Sequence, residues 1–158
     1  MSVRSGLGYD CHRLVSGRPL VLGGVVLEST RGLQGHSDAD VLTHAVIDAL
    51  LGAAALGDIG MHFPDTDERW RDADSIELLR AAVALVHGAG YGIVNVDVTV
   101  VMEAPKLGPA REEMRARLAA ALGIAAGAVN VKATTGEGIG FVGRGEGVAA
   151  LAIATLDG

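Results

Sequence analysis

One cysteine, Cys11, occurs in the 158 residues, which excludes an intramolecular disulfide and fits a reducing compartment. A basic face is also missing. With a net charge of −6, a nucleic-acid or anionic-membrane partner is not expected, although a few local cations or a bound metal could still hold an anionic ligand. No run of 18 apolar residues occurs that could span a bilayer, and the opening MSVRSGLGYDCHR has no apolar stretch suited to a signal peptide. The chain therefore reads as soluble and cytoplasmic. Neither GxxxxGK[ST] nor GxGxxG stands in the strand–helix setting that nucleotide binding requires, and there is no obvious catalytic triad. The composition is that of a globular chain, 49% hydrophobic and 20% charged without charge blocks. It fits one domain over residues 1–158, large enough to bury about 68–70% of its unfolded surface without staples.

Local patterns give the order of elements. Val3–Cys11 reads as a first strand; Pro19 precedes two apolar runs, Leu20–Leu22 and Val25–Leu27, split by Gly23-Gly24 as in a hairpin or bulge. The stretch from Glu28 to Gly35 reads as a polar connection. Helical spacing of Val41, Leu42, Ala45, Val46, Ala49 and Leu50 predicts a helix to about Leu51, capped by Ser37 or Asp38. Periodicity vanishes from Gly57 to Asp74, a long acidic loop of the kind that forms lids. A second helix is expected from Ser75 to Gly88 or Gly90, with Asp74 as cap and Glu77 placed for a capping box. Gly92–Glu103 alternates, with Val94, Val96, Val98 and Val100 on one face. A third helix runs from Pro109 to Gly123, and Val129–Thr134 and Val148–Leu156 are further strands. This order favours an α+β fold, a mixed β-sheet with helices packed on one face, over a doubly wound parallel one. The last strand, VAALAIATL, is apolar on both faces, so its second face needs a cover, for which another copy of the chain is the expected source.

Asp10 and His12 are two apart on a predicted strand and leave the same face, with Cys11 pointing the other way. With His44 near the start of the helix they form a carboxylate and two imidazoles, a donor set suited to Zn²⁺ with a fourth position open. Spacing alone leaves open the other reading, in which all three are surface residues. His36-Ser37 by a helix start could hold a phosphate, or Ser37 could simply be a cap. Asp40, four residues before His44, could orient its imidazole or serve the helix dipole. The turns Thr134-Thr135-Gly136-Glu137-Gly138 and Gly143-Arg144-Gly145-Glu146-Gly147 could hold phosphate oxygens and a hard cation, or be plain glycine turns. His87 reads as a dipole partner at a helix end, His62 as a loop residue, Trp70 as a lid aromatic, and Cys11 as a small core residue.

In order along the chain, GYDCHRL, LGGV, GHSDADVLTHAVIDALLGAAALGDIGMHFPDTD, ADSIELL, NVDVTVVMEAPKL, VNVKATT and GFVGRGEGVAA resemble the 2-C-methyl-D-erythritol 2,4-cyclodiphosphate synthase family over essentially the whole length. The resemblance implies an enzyme, a phosphorus–oxygen lyase of the non-mevalonate isoprenoid pathway. It would cyclise 4-diphosphocytidyl-2-C-methyl-D-erythritol 2-phosphate with release of CMP. It also implies Asp10, His12 and His44 as zinc ligands and Glu137 as ligand of a second divalent ion, Mg²⁺ or Mn²⁺. His36 and Thr135 match positions for transition-state stabilisation. Asp10, Cys11 and His12 match substrate-binding positions, and His36 and Ser37, Asp58, Ile59 and Gly60, and Phe63, Pro64, Asp65, Thr66 and Asp67 match segments around the methylerythritol phosphate. Met102, Glu103, Ala104, Pro105, Lys106, Leu107 and Gly108 match a wall that receives the cytidine and its phosphates, together with Thr134, Thr135, Gly136 and Glu137. Phe141 and Arg144 match positions near the phosphates or a trimer axis. The family forms homotrimers, with the sheets of three subunits meeting around the axis and each active site between neighbours. Gly136, where another threonine is usual, and Leu107-Gly108, in place of two bulky apolar residues, depart from the pattern beside the nucleotide. A metal-dependent hydrolase of CDP-linked diphosphates and a non-catalytic trimer binding nucleotides or isoprenoid diphosphates are the alternatives.

Overall fold

Long alternating segments pair into a sheet. The structure, a computed structural model, describes residues 2–158. Strand β1 (Val3–Ser16) runs beyond the expected Cys11, because it pairs antiparallel with β7 (Gly147–Asp157) as far as Arg13 and then takes up β4 (Arg31–Leu33) opposite Leu14–Ser16. The short strand β4 thus lies inside the stretch expected to be only a polar connection. The hairpin forms as expected from β2 (Leu20–Leu22) and β3 (Val25–Leu27), with Gly23 and Gly24 both at positive φ. Strand β5 (Gly92–Val101) joins the other edge of β7, and β6 (Val129–Thr134) lies parallel to β5, reached through a helix over Ala110–Leu122. The sheet order is β4-β1-β7-β5-β6. A bulge between Ile93 and Asn95 turns Val94 out to solvent, so of the four valines expected on one face only Val96, Val98 and Val100 are in the core.

Helix α1 (Val41–Ala53) is apolar nearly all round because it lies between the sheet and helix α3 (Ser75–Gly88). Its cap is Asp40, not Ser37 or Asp38. Ala39 turns the chain at positive φ, and the buried Asp40 carboxylate accepts from Thr43 N at 3.0 Å, Thr43 Oγ1 at 2.8 Å, Gly23 N at 2.9 Å and Gly24 N at 2.8 Å. Those four donors occupy its oxygens, so it does not orient His44. Asp74 caps α3 as expected, but Glu77 pairs with Arg80 at 2.7 Å and no capping box closes. Helix α4 (Ala110–Leu122) stops at Gly123, whose φ of 71° suits glycine. The expected loop contains two short coiled segments, helix α2 (Ile59–His62) and a 3₁₀ turn (Glu68–Trp70), and helix α5 (Gly140–Gly143) precedes β7.

The sheet face under the helices carries Gly6, Gly8, Asp10 and His12 of β1 and the buried Ala150, Ala152, Ala154 and Leu156 of β7. Gly6 and Gly8 permit a close approach: a Cβ there would lie 2.1 Å from Ala49 O and 1.8 Å from Ala45 O of α1. The opposite face is open, with Leu7 66% and Ile153 50% exposed beside Tyr9 and Leu151. Cys11 lies on that open face and is not a core residue. Among the described residues no helix is long and apolar enough to cross a membrane.

Candidate metal centre and its cavities

Alternation on β1 aims Asp10 and His12 at α1, and the two glycines before them bring the helix near enough for His44 to reach both. Asp10 Oδ2 lies 2.9 Å from His12 Nε2 and 3.1 Å from His44 Nδ1, and the two nitrogens are 3.3 Å apart. Tetrahedral zinc, with bonds of about 2.0–2.2 Å, holds its ligand atoms about 3.3–3.6 Å from one another, so this triangle is close to the required size. Each imidazole is tied at its far nitrogen: His12 Nδ1 donates to Gln34 O at 2.8 Å, and His44 Nε2 lies 2.8 Å from Ser75 Oγ and 3.2 Å from Ser37 Oγ. With the far nitrogens donating, two nitrogen lone pairs and a carboxylate oxygen face one point. Only a cation there, protons or a metal ion, lets them sit so close, so the donors fit the metal implied by the family resemblance. Burial would push the Asp10 carboxyl up, but hydrogen bonds from His12 and His44 and their charge outweigh it and hold it at about 2. Burial would likewise lower His12, and the Asp10 carboxylate reverses this and raises it.

A cavity of about 490 Å³ opens over these three side chains, walled by Gly35, His36, Ser37, Ile59, Gly60, Phe63, Pro64, Asp65, Trp70 and Leu78. The loop residues are held in place by local bonds. Asp58 caps α2 through Met61 N, Asp67 caps the 3₁₀ turn through Arg69 N, and His36 Nε2 donates to Asp67 O at 3.1 Å. Trp70 stands edge-on to Phe63 at 5.2 Å between ring centres, and both rings border this cavity. Asp58, Thr66 and Asp67 stand in this loop but do not line the cavity. His62 sits in α2 with Nε2 donating to Leu56 O, and His87 stands in the last turn of α3.

The other expected site residues gather elsewhere. Met102, Glu103, Pro105, Lys106, Leu107, Gly108, Thr134 and Thr135 line a second cavity of about 340 Å³, with Arg111 and Ala133. Glu103 Oε1 accepts from Gly136 N and ties its two walls together. Thr135 Oγ1 accepts from the amide of Glu137, an exposed residue at positive φ. A Cβ at Gly136 would come within 2.8 Å of Gly143 N, and Gly108 lies at positive φ, so both departures from the family pattern occupy positions where glycine suits the backbone. Cys11 and Phe141 border a third, smaller hollow with His12, Arg13, Glu146 and Gly147, while Arg144 pairs with Glu146 at 3.0 Å. Cys11, Ala149, Val101 and Thr134 are partners in one row across four strands. At about 4.7–4.9 Å per strand, β1 at Cys11, between two of the metal donors, and β6 at Thr134, in the wall of the second cavity, are therefore roughly 14 Å apart in a single chain. The structure brings the three metal donors together but does not join them to the Thr134–Glu137 turn. Ser75, which bonds His44 from its far side, and Asp38, which bonds Ser75, carried no sequence signal beyond a helix start and a cap reading.

Comparison with known proteins agrees with this geometry. Curated relatives named 2-C-methyl-D-erythritol 2,4-cyclodiphosphate synthase, from Salinibacter ruber and Symbiobacterium thermophilum, are 65% and 60% identical over 98% and 97% of this chain and 98% of each relative. A solved structure of the synthase so named, in a CDP-bound form, superposes with a TM-score of 0.89 at 40% identity, over 98% of this chain and 100% of that one. The bifunctional IspDF of Campylobacter jejuni superposes at 0.94 with 44% identity, and this chain spans 42% of that longer one. A family model described as YgbB matches residues 3–157. By sequence and by fold alike, the chain belongs to the YgbB family.

Proposed function

We propose that the chain catalyses the reaction named in its relatives: closure of 4-diphosphocytidyl-2-C-methyl-D-erythritol 2-phosphate to 2-C-methyl-D-erythritol 2,4-cyclodiphosphate with release of CMP, as a phosphorus–oxygen lyase of isoprenoid precursor synthesis. The observation that carries it is the convergence of Asp10 Oδ2, His12 Nε2 and His44 Nδ1 in the floor of a cavity walled in part by the loop that carries Phe63 and Trp70.

In this reaction a phosphate oxygen of the substrate forms a bond to the β-phosphorus, and the bond from that phosphorus to the CMP oxygen breaks. A phosphate monoester has its second pKa at about 6, so the nucleophile is already ionised and no protein base is required. When bound, zinc at Asp10, His12 and His44 and Mg²⁺ or Mn²⁺ at Glu137 would supply Lewis-acid neutralisation of phosphate charge. The side chains have the remaining tasks. His36 and Ser37 stand in the cavity wall as hydrogen-bonding partners for the methylerythritol phosphate, and the Thr135 hydroxyl, which accepts from Glu137 N, keeps its proton to donate. Phe63 and Trp70 keep water from competing with the internal nucleophile.

We read the two separated cavities as halves of sites shared between copies, residues 1–158 acting as one domain of a homotrimer. The apolar open face with Leu7, Tyr9, Leu151 and Ile153 supports this, since water-exposed area of that kind favours a second copy. The Met102–Gly108 and Thr134–Glu137 segments would then receive the cytidine and its phosphates above a neighbour's metal site, with Phe141 and Arg144 near the axis.

Phosphorus NMR of the purified protein with this substrate, zinc and Mg²⁺ in oxygen-18 water tests the reading. The expected result is a cyclic diphosphate and CMP, neither carrying solvent oxygen. Labelled, open products would establish a hydrolase instead, and tight CDP binding without turnover a non-catalytic binder.

A further inference from the structure

His44 differs from the other two donors in what stands behind it. Its Nε2 is 2.8 Å from Ser75 Oγ, and Ser75, fully buried at the first position of α3, is gripped by one carboxylate. Its hydroxyl donates to Asp38 Oδ1 and its amide to Asp38 Oδ2 at 3.0 Å. Asp38 is fixed in turn: Oδ1 also accepts from Asp40 N at 3.1 Å, and Asp38 N donates to Ala73 O at 3.1 Å.

The direction of this chain of bonds follows from its end. An ionised carboxylate can only accept, so the one hydroxyl proton of Ser75 is committed to Asp38. Ser75 Oγ then has only lone pairs to offer, and His44 must place a proton on Nε2. That leaves the Nδ1 lone pair facing Asp10 and His12, as a metal ligand requires. Ser37 Oγ, at 3.2 Å from the same Nε2, already accepts from Ala39 N and keeps its own proton, so it does not impose the same direction. We infer that Asp38 and Ser75 are positioning residues for the metal centre: through one hydroxyl, the Asp38 carboxylate sets the His44 tautomer and ring angle, and with them the site's affinity for zinc. This deepens the metal reading given above and rests on it.

Zinc alone is the probe. Titrating metal-free protein against a chromophoric chelator gives the affinity, and nitrogen-15 NMR of the imidazoles reports which ring nitrogen of His44 carries the proton. The unaltered chain should bind zinc with His44 protonated at Nε2; if it binds none, the metal reading itself fails. Given that binding, Ser75→Ala and Asp38→Asn should each weaken it by about 10–100-fold. The double variant should be little worse than either alone, because both break the same chain of bonds. Ser75→Thr, which keeps the hydroxyl, should recover most of the loss. Asp74→Ala removes the neighbouring cap of α3 without touching His44 and serves as the control for helix loosening: its zinc affinity should match that of the unaltered chain. Wild-type affinity and an unchanged His44 tautomer in Ser75→Ala, or an equal loss in Asp74→Ala, would overturn the inference.

Discussion

Replacing Gly8 by alanine tests whether strand and helix position the metal donors as described. The new Cβ would lie 1.8 Å from Ala45 O and 2.8 Å from Ala49 N. An ordinary carbon–oxygen contact is about 3.3–3.6 Å, so β1 must retreat from α1 by about 1.5 Å. The obstacle is helix backbone, which cannot swing aside as a side chain can. Overpacking costs about 1–3 kcal/mol, and this site belongs at the upper end. At about 2–4 °C per kcal/mol for a chain of this size, the melting temperature should fall by roughly 6–12 °C. The functional effect should be larger. Asp10 is two residues from the insertion and His44 immediately precedes Ala45, so donors now 2.9 to 3.3 Å apart would separate by much of the same displacement. A misplacement of about 1 Å costs about 100-fold in activity. Thermal unfolding by circular dichroism and zinc titration read the two effects separately. Gly88→Ala, where a Cβ meets nothing within 4 Å, is the matched control and should stabilise by about 0.4–1 kcal/mol. A Gly8→Ala protein with unchanged melting temperature and zinc affinity would refute the close-packing account.

In the metal-free protein, Asp10 should leave a pH signature. Its carboxyl titrates at about 2 when folded against an ordinary 3.8, because hydrogen bonds and charge from His12 and His44 outweigh its burial. A depressed carboxyl stabilises the fold above the ordinary value, and that contribution, about 2 kcal/mol, is lost as pH falls from 3.8 toward 2. Urea midpoints between pH 5 and 2 should show the fall in the unaltered chain and a shallower one in Asp10→Asn; parallel curves would contradict it. Trp70, the single tryptophan, lines the main cavity against Phe63, so its emission should change when the cyclic product binds. Calorimetric binding with no change in emission would place the ligand elsewhere.

Local pattern was enough for much of the fold. The valines of β5, the helical spacing from Val41 and the stops at Gly88 and Gly123 are visible because strand and helix periods repeat within a few residues. Where pattern misled, the cause was contact with distant chain. Asp40 displaced Ser37 and Asp38 as the cap because the amides of Gly23 and Gly24 come to meet it. The β4 strand exists because the end of β1 has a partner there and not on β7. Val94 left its face because a bulge was needed to keep β5 in register with β7.

That Asp10 and His12 share a face was legible from spacing, since alternate residues of a strand must, and the family resemblance put His44 with them. How near they come depends on packing between elements, because the separation of a strand from a helix is set by what lies between them: here two glycines with no side chain to hold Ala45 and Ala49 away. The same holds for Asp38 and Ser75, 37 residues apart and joined by two hydrogen bonds that no local pattern records. Periodicity specifies which way a side chain points along its own element; packing between elements specifies what it meets.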